Sequence, residues 1–256
     1  MIHSLTHIDP NAKIGANVSI DAFTSIHADV EIGEGTWIGS NVTIYPGARI
    51  GKNVRIFPGA VISAIPQDLK FGGETTTAEI GDNSTIRECV TINRGTTDKM
   101  KTVIGKNCLI MAYVHVAHDC FIGDHCILAN AVQMAGHVTV GEYAIIGGSS
   151  AIHQFATIGQ HSMISGGSLV RKDVPPFTKA GREPLSYAGI NSVGLRRRNY
   201  TDEQINIIQD AYRYIYLKGL NTNAALAEIE AQLPNTSERN EIIDFVKNSE
   251  RGIMKG

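Results

Sequence analysis

The chain has 256 residues, with 23 Lys plus Arg against 25 Asp plus Glu and a formal net charge of −2 at pH 7. That length suffices for one or two domains with a sizeable core, and the balanced charge gives no general attraction to nucleic acid or an anionic membrane. No apolar run approaches the roughly 20 residues that cross a bilayer, and the opening "MIHSLTHIDPNAKIG" lacks a basic segment followed by an apolar one, so a reduced, cytoplasmic protein without a secretory signal is expected.

From Ile8, every sixth residue is isoleucine: Ile14, Ile20, Ile26, Ile32, Ile38, Ile44, Ile50, Ile56 and Ile62 follow without a miss. A second slot, four residues after each of these, is small or β-branched, as at Ala12, Val18, Thr24 and Val30. A period of six matches neither the 3.6 of a helix nor the alternation of an ordinary strand. It matches short strands joined by corners, with three hexads closing one triangular coil of eighteen residues. Successive coils then hydrogen-bond at about 4.8 Å, and both slots point inward to fill a prism, an all-β solenoid of the parallel β-helix type.

The register breaks over about 63–79, resumes at Ile80, Ile86 and Ile92, and breaks again over about 97–103. It then holds from Ile104 to Val170 through twelve sites, all Ile, Leu, Val or Met. Pro175 and Pro176 in "DVPPF" cannot donate to a ladder, which predicts that the solenoid occupies 1–176. Residues 177–256 read as a C-terminal α-helical domain. Thr201 with Gln204 forms a capping-box pattern, and Ile205, Ile208, Ala211, Tyr212 and Ile215 recur at helical spacing up to Gly219. Further helices are expected over "AALAEIEAQL" and "EIIDFVKN", and the unit is expected to cover the open edge of the last coil.

The stretch "YVHVAHDCFIGDHC", 113–126, resembles a metal site until it is placed in this frame. Cys108, Cys120 and Cys126 fall in the small inward slot, where free cysteine serves as core filler. Cys89 lies off that slot. His115, His118, His125, His137 and His153 all face outward. Eighteen-residue stacking places Gly136 over His118, Gln154 over Gly136, His137 over Asp119 and His153 over Ala135. Four histidines, His115, His118, His137 and His153, therefore gather along one edge. Such a cluster suits proton transfer, and it also suits polar packing between subunits.

The ordered motifs "PQDLKF", "IRECVTINRGT", "HVAHDC", "CILAN", "AGHV", "AIIGG", "IHQF", "DVPP" and "GLRRR" resemble those of the UDP-N-acetylglucosamine O-acyltransferases of lipid A synthesis, over nearly the whole chain. The resemblance implies a left-handed coil and a homotrimer with active sites between subunits. It also implies transfer of an (R)-3-hydroxyacyl group from acyl carrier protein to the sugar 3-hydroxyl. No metal or separate cofactor is implied, the acyl group arriving on the carrier's phosphopantetheine.

Residue by residue, His118 matches the family's general base, Asp119 the residue that orients it, and Gly136 the backbone N–H that receives the oxyanion. From the residues alone, Asp119 reads equally as a corner residue and Gly136 as a tight corner. Gln67, Asp68 and Lys70 match positions that approach the sugar and its diphosphate from a neighbouring subunit. His115, His137, His153 and Gln154 match positions lining the cleft, whereas His125 matches none and reads as surface. Asn191, Arg197 and Arg198 match nucleotide contacts, although an arginine run is also an ordinary solvated helix face. Val193 departs from an acidic nucleotide contact of relatives. Gly166 matches the floor of the acyl pocket, where a glycine leaves room for a long chain.

Two other readings share the prism. A γ-carbonic-anhydrase-type hydratase would use three histidines on zinc, against which stand the helical unit and the motif set. A sister N-acyltransferase of the same pathway usually carries an added N-terminal domain, and here the hexads begin by Ile8.

Overall fold

The computed structural model describes residues 1–256. Each hexad supplies a two-residue strand whose second residue is the large inward slot, as in Ser25–Ile26, Glu31–Ile32 and Trp37–Ile38. Strands so short have no stability alone, because their hydrogen bonds run to the coils above and below. Pairing advances by one coil at a time, Ile26 with Ile44, Ile32 with Ile50 and Ile38 with Ile56. Three sheets of nine, eight and ten strands result, the walls of a left-handed parallel β-helix. Both inward slots are shielded from water, and 42 buried residues form one continuous core along the axis.

The corners carry the conformational cost. One residue per corner adopts positive φ, for example Asn17 at 57°, Asp29 at 54°, Gly35 at 72° and Asn41 at 57°. Gly, Asn and Asp enter that region most readily. Farther along, the same corner position holds Tyr113, His125, His137, Tyr143, Phe155 and His161, all at positive φ. Rings one coil apart then stack, His137 on Phe155 at 4.5 Å and His125 on Tyr143 at 4.5 Å between centroids. This contact offsets part of the backbone strain.

The first interruption is shorter than the expected 63–79, and the second has the expected length but starts three residues earlier than 97–103. Strands Val61–Ala64 and Thr77–Ile80 leave only 65–76 outside the ladder, and strands Thr91–Asn93 and Lys101–Ile104 leave 94–100. The flanks find partners in each other's coil, Ala64 opposite Asn93 and Thr77 opposite Lys101. The two excursions therefore leave the prism side by side.

The prolines do not end the sheet at 176. They occupy a corner, where no ladder donor is needed, and Thr178–Gly181 pairs in parallel with Met163–Ile164 before Ser186–Ile190 turns back antiparallel. Helix α1 (Ser192–Arg197) follows and carries most of the arginine run that also read as a solvated helix face. Helices α2 (Asp202–Tyr216), α3 (Thr222–Gln232) and α4 (Ser237–Lys247) match the helical stretches expected, and the Thr201–Gln204 capping box is present. A second core of 12 buried residues joins Phe177 to these helices, with Tyr212 at its centre donating its hydroxyl to the Pro176 carbonyl. The terminal segment returns to the solenoid, Ile253 bridging Asp173 and Lys255 bridging Ser186, so the edge of the last coil is covered. No helix is long and apolar enough to cross a membrane.

Candidate active site

A cleft of about 810 Å³ lies where the 65–76 excursion overhangs one edge of the prism. Gln67, Asp68 and Lys70, expected from a neighbouring subunit, form its outer wall within the same chain because their excursion folds back over its own coils; His115 and Gln133 form its sheet wall, and His118, Gly136 and Gln154 its corner, one from each of three successive coils. The stacking arithmetic is realised directly, since His115 pairs with Gln133 and the His137 N–H donates to the His118 carbonyl.

His118 is nearly buried, and the Asp119 Oδ2 lies 2.8 Å from its Nδ1. The Asp119 carboxylate is fully enclosed. Burial alone pushes it up, but the Thr96 hydroxyl, His118 and the backbone N–H groups of Thr96 and Lys99 outweigh that and hold it below the usual carboxylate range. An ionised carboxylate only accepts, so Nδ1 of His118 carries the proton and donates it to Asp119. Its Nε2 faces the cleft, 4.0 Å from Asp68 Oδ2.

Gly136 is required by this ring. A Cβ placed there would lie 2.6 Å from His118 Cε1 and 2.8 Å from Nε2. Gly136 sits in the corner turn, but the positive φ of that corner belongs to His137 at 62°, so what calls for a glycine at 136 is the space taken by the ring. The Gly136 N–H makes no hydrogen bond within the chain, a property shared with His118 and Gln154 at the equivalent corners. At Gly136 it lies beside an imidazole.

The four histidines do not share one surface. His115 faces the cleft with Nδ1 2.7 Å from the Thr91 hydroxyl, and burial, with the neighbouring His118, lowers its basicity so that it stays neutral at pH 7. His137 stands behind, edge-on to His118 at 5.1 Å, with Nδ1 3.1 Å from Asp98 and Nε2 3.8 Å from Asp119. His153 is exposed, its Nδ1 3.1 Å from the Gln154 carbonyl oxygen. His118, Asp119 and His137 bring donor atoms within 4.8 Å of one another. They fit zinc poorly, because the Asp119 oxygens already accept from Thr96, Lys99 and His118.

The sequence family described as "Udp N-acetylglucosamine O-acyltransferase; Domain 2" matches residues 173–254, and "Bacterial transferase hexapeptide (six repeats)" matches 29–64 and 101–136. An acyl-(acyl-carrier-protein)-UDP-N-acetylglucosamine O-acyltransferase from Chlorobium phaeobacteroides is 60% identical, covering 98% of this chain and 96% of its own. One from Sulfurihydrogenibium sp. is 56% identical over 98% and 93%. The crystal structure of a UDP-N-acetylglucosamine acyltransferase from Bacteroides fragilis superposes with a TM-score of 0.98 at 52% identity, covering 100% of both chains. The chain belongs to the UDP-N-acetylglucosamine O-acyltransferase family.

In this O-acyltransferase the remaining expected residues lie away from the His118 cleft of the same chain. Asn191 is buried, its Oδ1 capping α1 at the Gly194 N–H and its Nδ2 donating to the His161 carbonyl, so its amide is already committed. Arg198 packs its guanidinium 4.9 Å over the Tyr143 ring and donates to the Tyr143 carbonyl. Arg197 is exposed and has no ion-pair or hydrogen-bond partner, and Val193 is exposed beside them. Gly166 rests on Gly148, one coil below.

His125, expected as surface, is half-buried at its corner and is the first ring of a stack running through Tyr143 and His161 to Phe177. His161 had no expected role. Burial, with Arg198 alongside, pushes its imidazole down to about 4, and the Tyr200 hydroxyl lies 3.2 Å from its Nε2. Together these rings support α1 and Arg198. The sequence reading also missed Thr96, Lys99 and Thr102, which surround Asp119. The break in the hexad register was their only signal.

Proposed function

We propose that this protein transfers an (R)-3-hydroxyacyl group from acyl carrier protein to the 3-hydroxyl of UDP-N-acetylglucosamine, the first step of lipid A biosynthesis, in the cytoplasm. The relatives carry that acyltransferase name over almost the entire chain. The observation that carries the chemistry is the His118 imidazole, held by an ionised Asp119 on one side and open to the cleft at Nε2 on the other.

A bare alcohol is a poor nucleophile. Nε2 takes its proton as the sugar oxygen attacks the thioester carbonyl, and Asp119 stabilises the imidazolium that forms. The free N–H of Gly136 stands beside the ring to receive the oxyanion. Collapse breaks the carbon–sulfur bond, and the departing thiolate recovers the proton from Nε2. Asp68, with Gln67 and Lys70 on the cleft's outer wall, orients the sugar and its diphosphate.

Assembly as a homotrimer is supported by the outward faces of the sheets. Leu109, Ile127, Ile145 and Met163 line up on one face, and Met163 is 42% exposed in the single chain. The opposite character appears on the second sheet, where Lys13, Glu31 and Arg49 stack. A face that apolar calls for a covering partner. A neighbouring subunit would also bring Gly166, Arg197 and Arg198 to the cleft, which one chain cannot do. Gly166 would then leave room for a long acyl chain.

The test is acyl transfer from short- and long-chain hydroxyacyl carrier proteins to UDP-N-acetylglucosamine. The wild type should turn over and prefer the long donor, and His118→Ala should lose roughly 10² to 10⁴ in rate while remaining folded. Undiminished turnover by His118→Ala would remove the assignment.

A further inference from the structure

We propose that Thr96, in the 94–100 excursion, is a positioning residue for the proton-transfer pair: its hydroxyl locks the Asp119 carboxylate in the orientation that holds His118. The inference rests on the reading of His118 as general base.

The excursion interrupts the solenoid one coil below His118, and its conformation is organised around one acid. The Thr96 Oγ1 donates to Asp119 Oδ2 at 2.6 Å, and the Thr96 N–H donates to Oδ1 at 2.9 Å. The Lys99 N–H adds a contact to Oδ1 at 3.2 Å, and the Asp119 N–H donates to the Thr102 hydroxyl at 2.9 Å. Thr96 is itself fixed, because its hydroxyl accepts from the Asp98 N–H at 3.3 Å. Oδ2 thus accepts from both Thr96 and His118, so the two donors share one oxygen and set the plane of the carboxylate. Thr96 and Asp119 are both buried, which strengthens each bond by excluding water.

Several other charged or titratable groups face the pair. His137 lies 3.8 Å from Oδ2, Asp98 faces His137, Asp68 lies 4.0 Å from Nε2 of His118, and His115 shares the cleft wall. The Lys99 ammonium lies 4.0 Å from the Asp98 carboxylate, and Cys120, the next residue, is a neutral buried thiol. None of these side chains donates a hydrogen bond to the Asp119 carboxylate, which accepts only from Thr96, the Lys99 N–H and His118. Without the hydroxyl, the plane of the carboxylate is no longer fixed, so the imidazole is held less firmly in place. The carboxylate also keeps more of its negative charge for His118, so the imidazolium gives up its proton less readily.

Thr96→Val preserves the shape of the side chain and removes the hydroxyl, with its bond to Asp119 and the longer one it accepts from the Asp98 N–H. The expected result is a fall in kcat of about tenfold, the kinetic equivalent of one charge-assisted hydrogen bond. KM for UDP-N-acetylglucosamine should stay within about twofold, and the acid limb of kcat/KM should move to higher pH. Thr96→Ser, which retains the hydroxyl, should restore both rate and profile. Thermal unfolding of each variant separates this from loss of fold. A Thr96→Val profile superimposable on wild type, or a lower rate explained wholly by a smaller folded fraction, overturns the inference. Failure of the wild type to transfer acyl groups, or undiminished activity in His118→Ala, would instead bring down the underlying reading.

Discussion

The first coils and the coils around His118 follow one hexad rule inside and two different rules at their corners. Before residue 60 the positive-φ positions are mostly Asn, Asp and Gly, among them Asn17, Asp29, Gly35, Asn41, Gly47, Asn53 and Gly59. Between 113 and 161 they are Tyr113, Asp119, His125, Ala131, His137, Tyr143, Ser149, Phe155 and His161. The first set is what the backbone itself prefers. The second set accepts strain so that rings and a carboxylate can stand in columns one coil apart, and strain of this kind concentrates at functional sites. The outward faces divide similarly: Lys13 pairs with Glu31 and Arg49 with Asp29 near the start, whereas the later coils present His115, His118 and an apolar column.

Substitutions at the two kinds of corner should break in different ways. The largest effect is expected at Gly136→Ala, whose methyl group would overlap the His118 ring. Displacing a base by about 1 Å can cost on the order of 10²-fold in rate, so steady-state kcat should fall at least that far while circular dichroism is preserved. Gly35→Ala tests the other rule. At φ +72° the new Cβ is strained and meets the Asn53 side chain, so denaturant unfolding should show a loss of about 1 kcal/mol with kcat unchanged.

The smallest effect is expected where the helical unit meets the solenoid. Burial, together with Glu142 and Glu238, pushes Glu241 up to about 7 even though Gln160 donates to it. A raised carboxylate value means that the folded state binds the proton more tightly than the unfolded one. This contribution is fully present below the ordinary value of 4.5 and is lost as pH rises through about 7. Glu241→Gln should therefore raise the melting temperature at pH 8 and leave it nearly unchanged at pH 4, as differential scanning calorimetry would record.

The prism was legible because its core period is local and repeated: Ile26, Ile44 and Ile62 announce their stacking from spacing alone. The same count placed His118 under Gly136. What could not be read were relations without a period. The excursion at 94–100 folds back through Thr96 and Lys99 onto Asp119, and nothing in "TTDKMKTV" states that direction. The prolines at 175 and 176 misled because their cost depends on whether they fall in a strand or at a corner. The cap that Asn191 supplies to α1 is also without a period, since it depends on where the chain turns after Ile190. The reason for Gly136 was likewise hidden, since a missing side chain does not reveal which neighbour needs its space.

Pairing at intervals of one coil has a consequence for how such a chain can change over time. Adding or deleting one residue between 119 and 135 would slide Gly136 off His118 and turn every later isoleucine out of the prism, so length is frozen there far more tightly than composition. The excursions at 65–76 and 94–100 leave and re-enter the ladder between established partners. They are therefore the places where this lineage can lengthen or remodel its chain without losing count, and both lie beside the cleft.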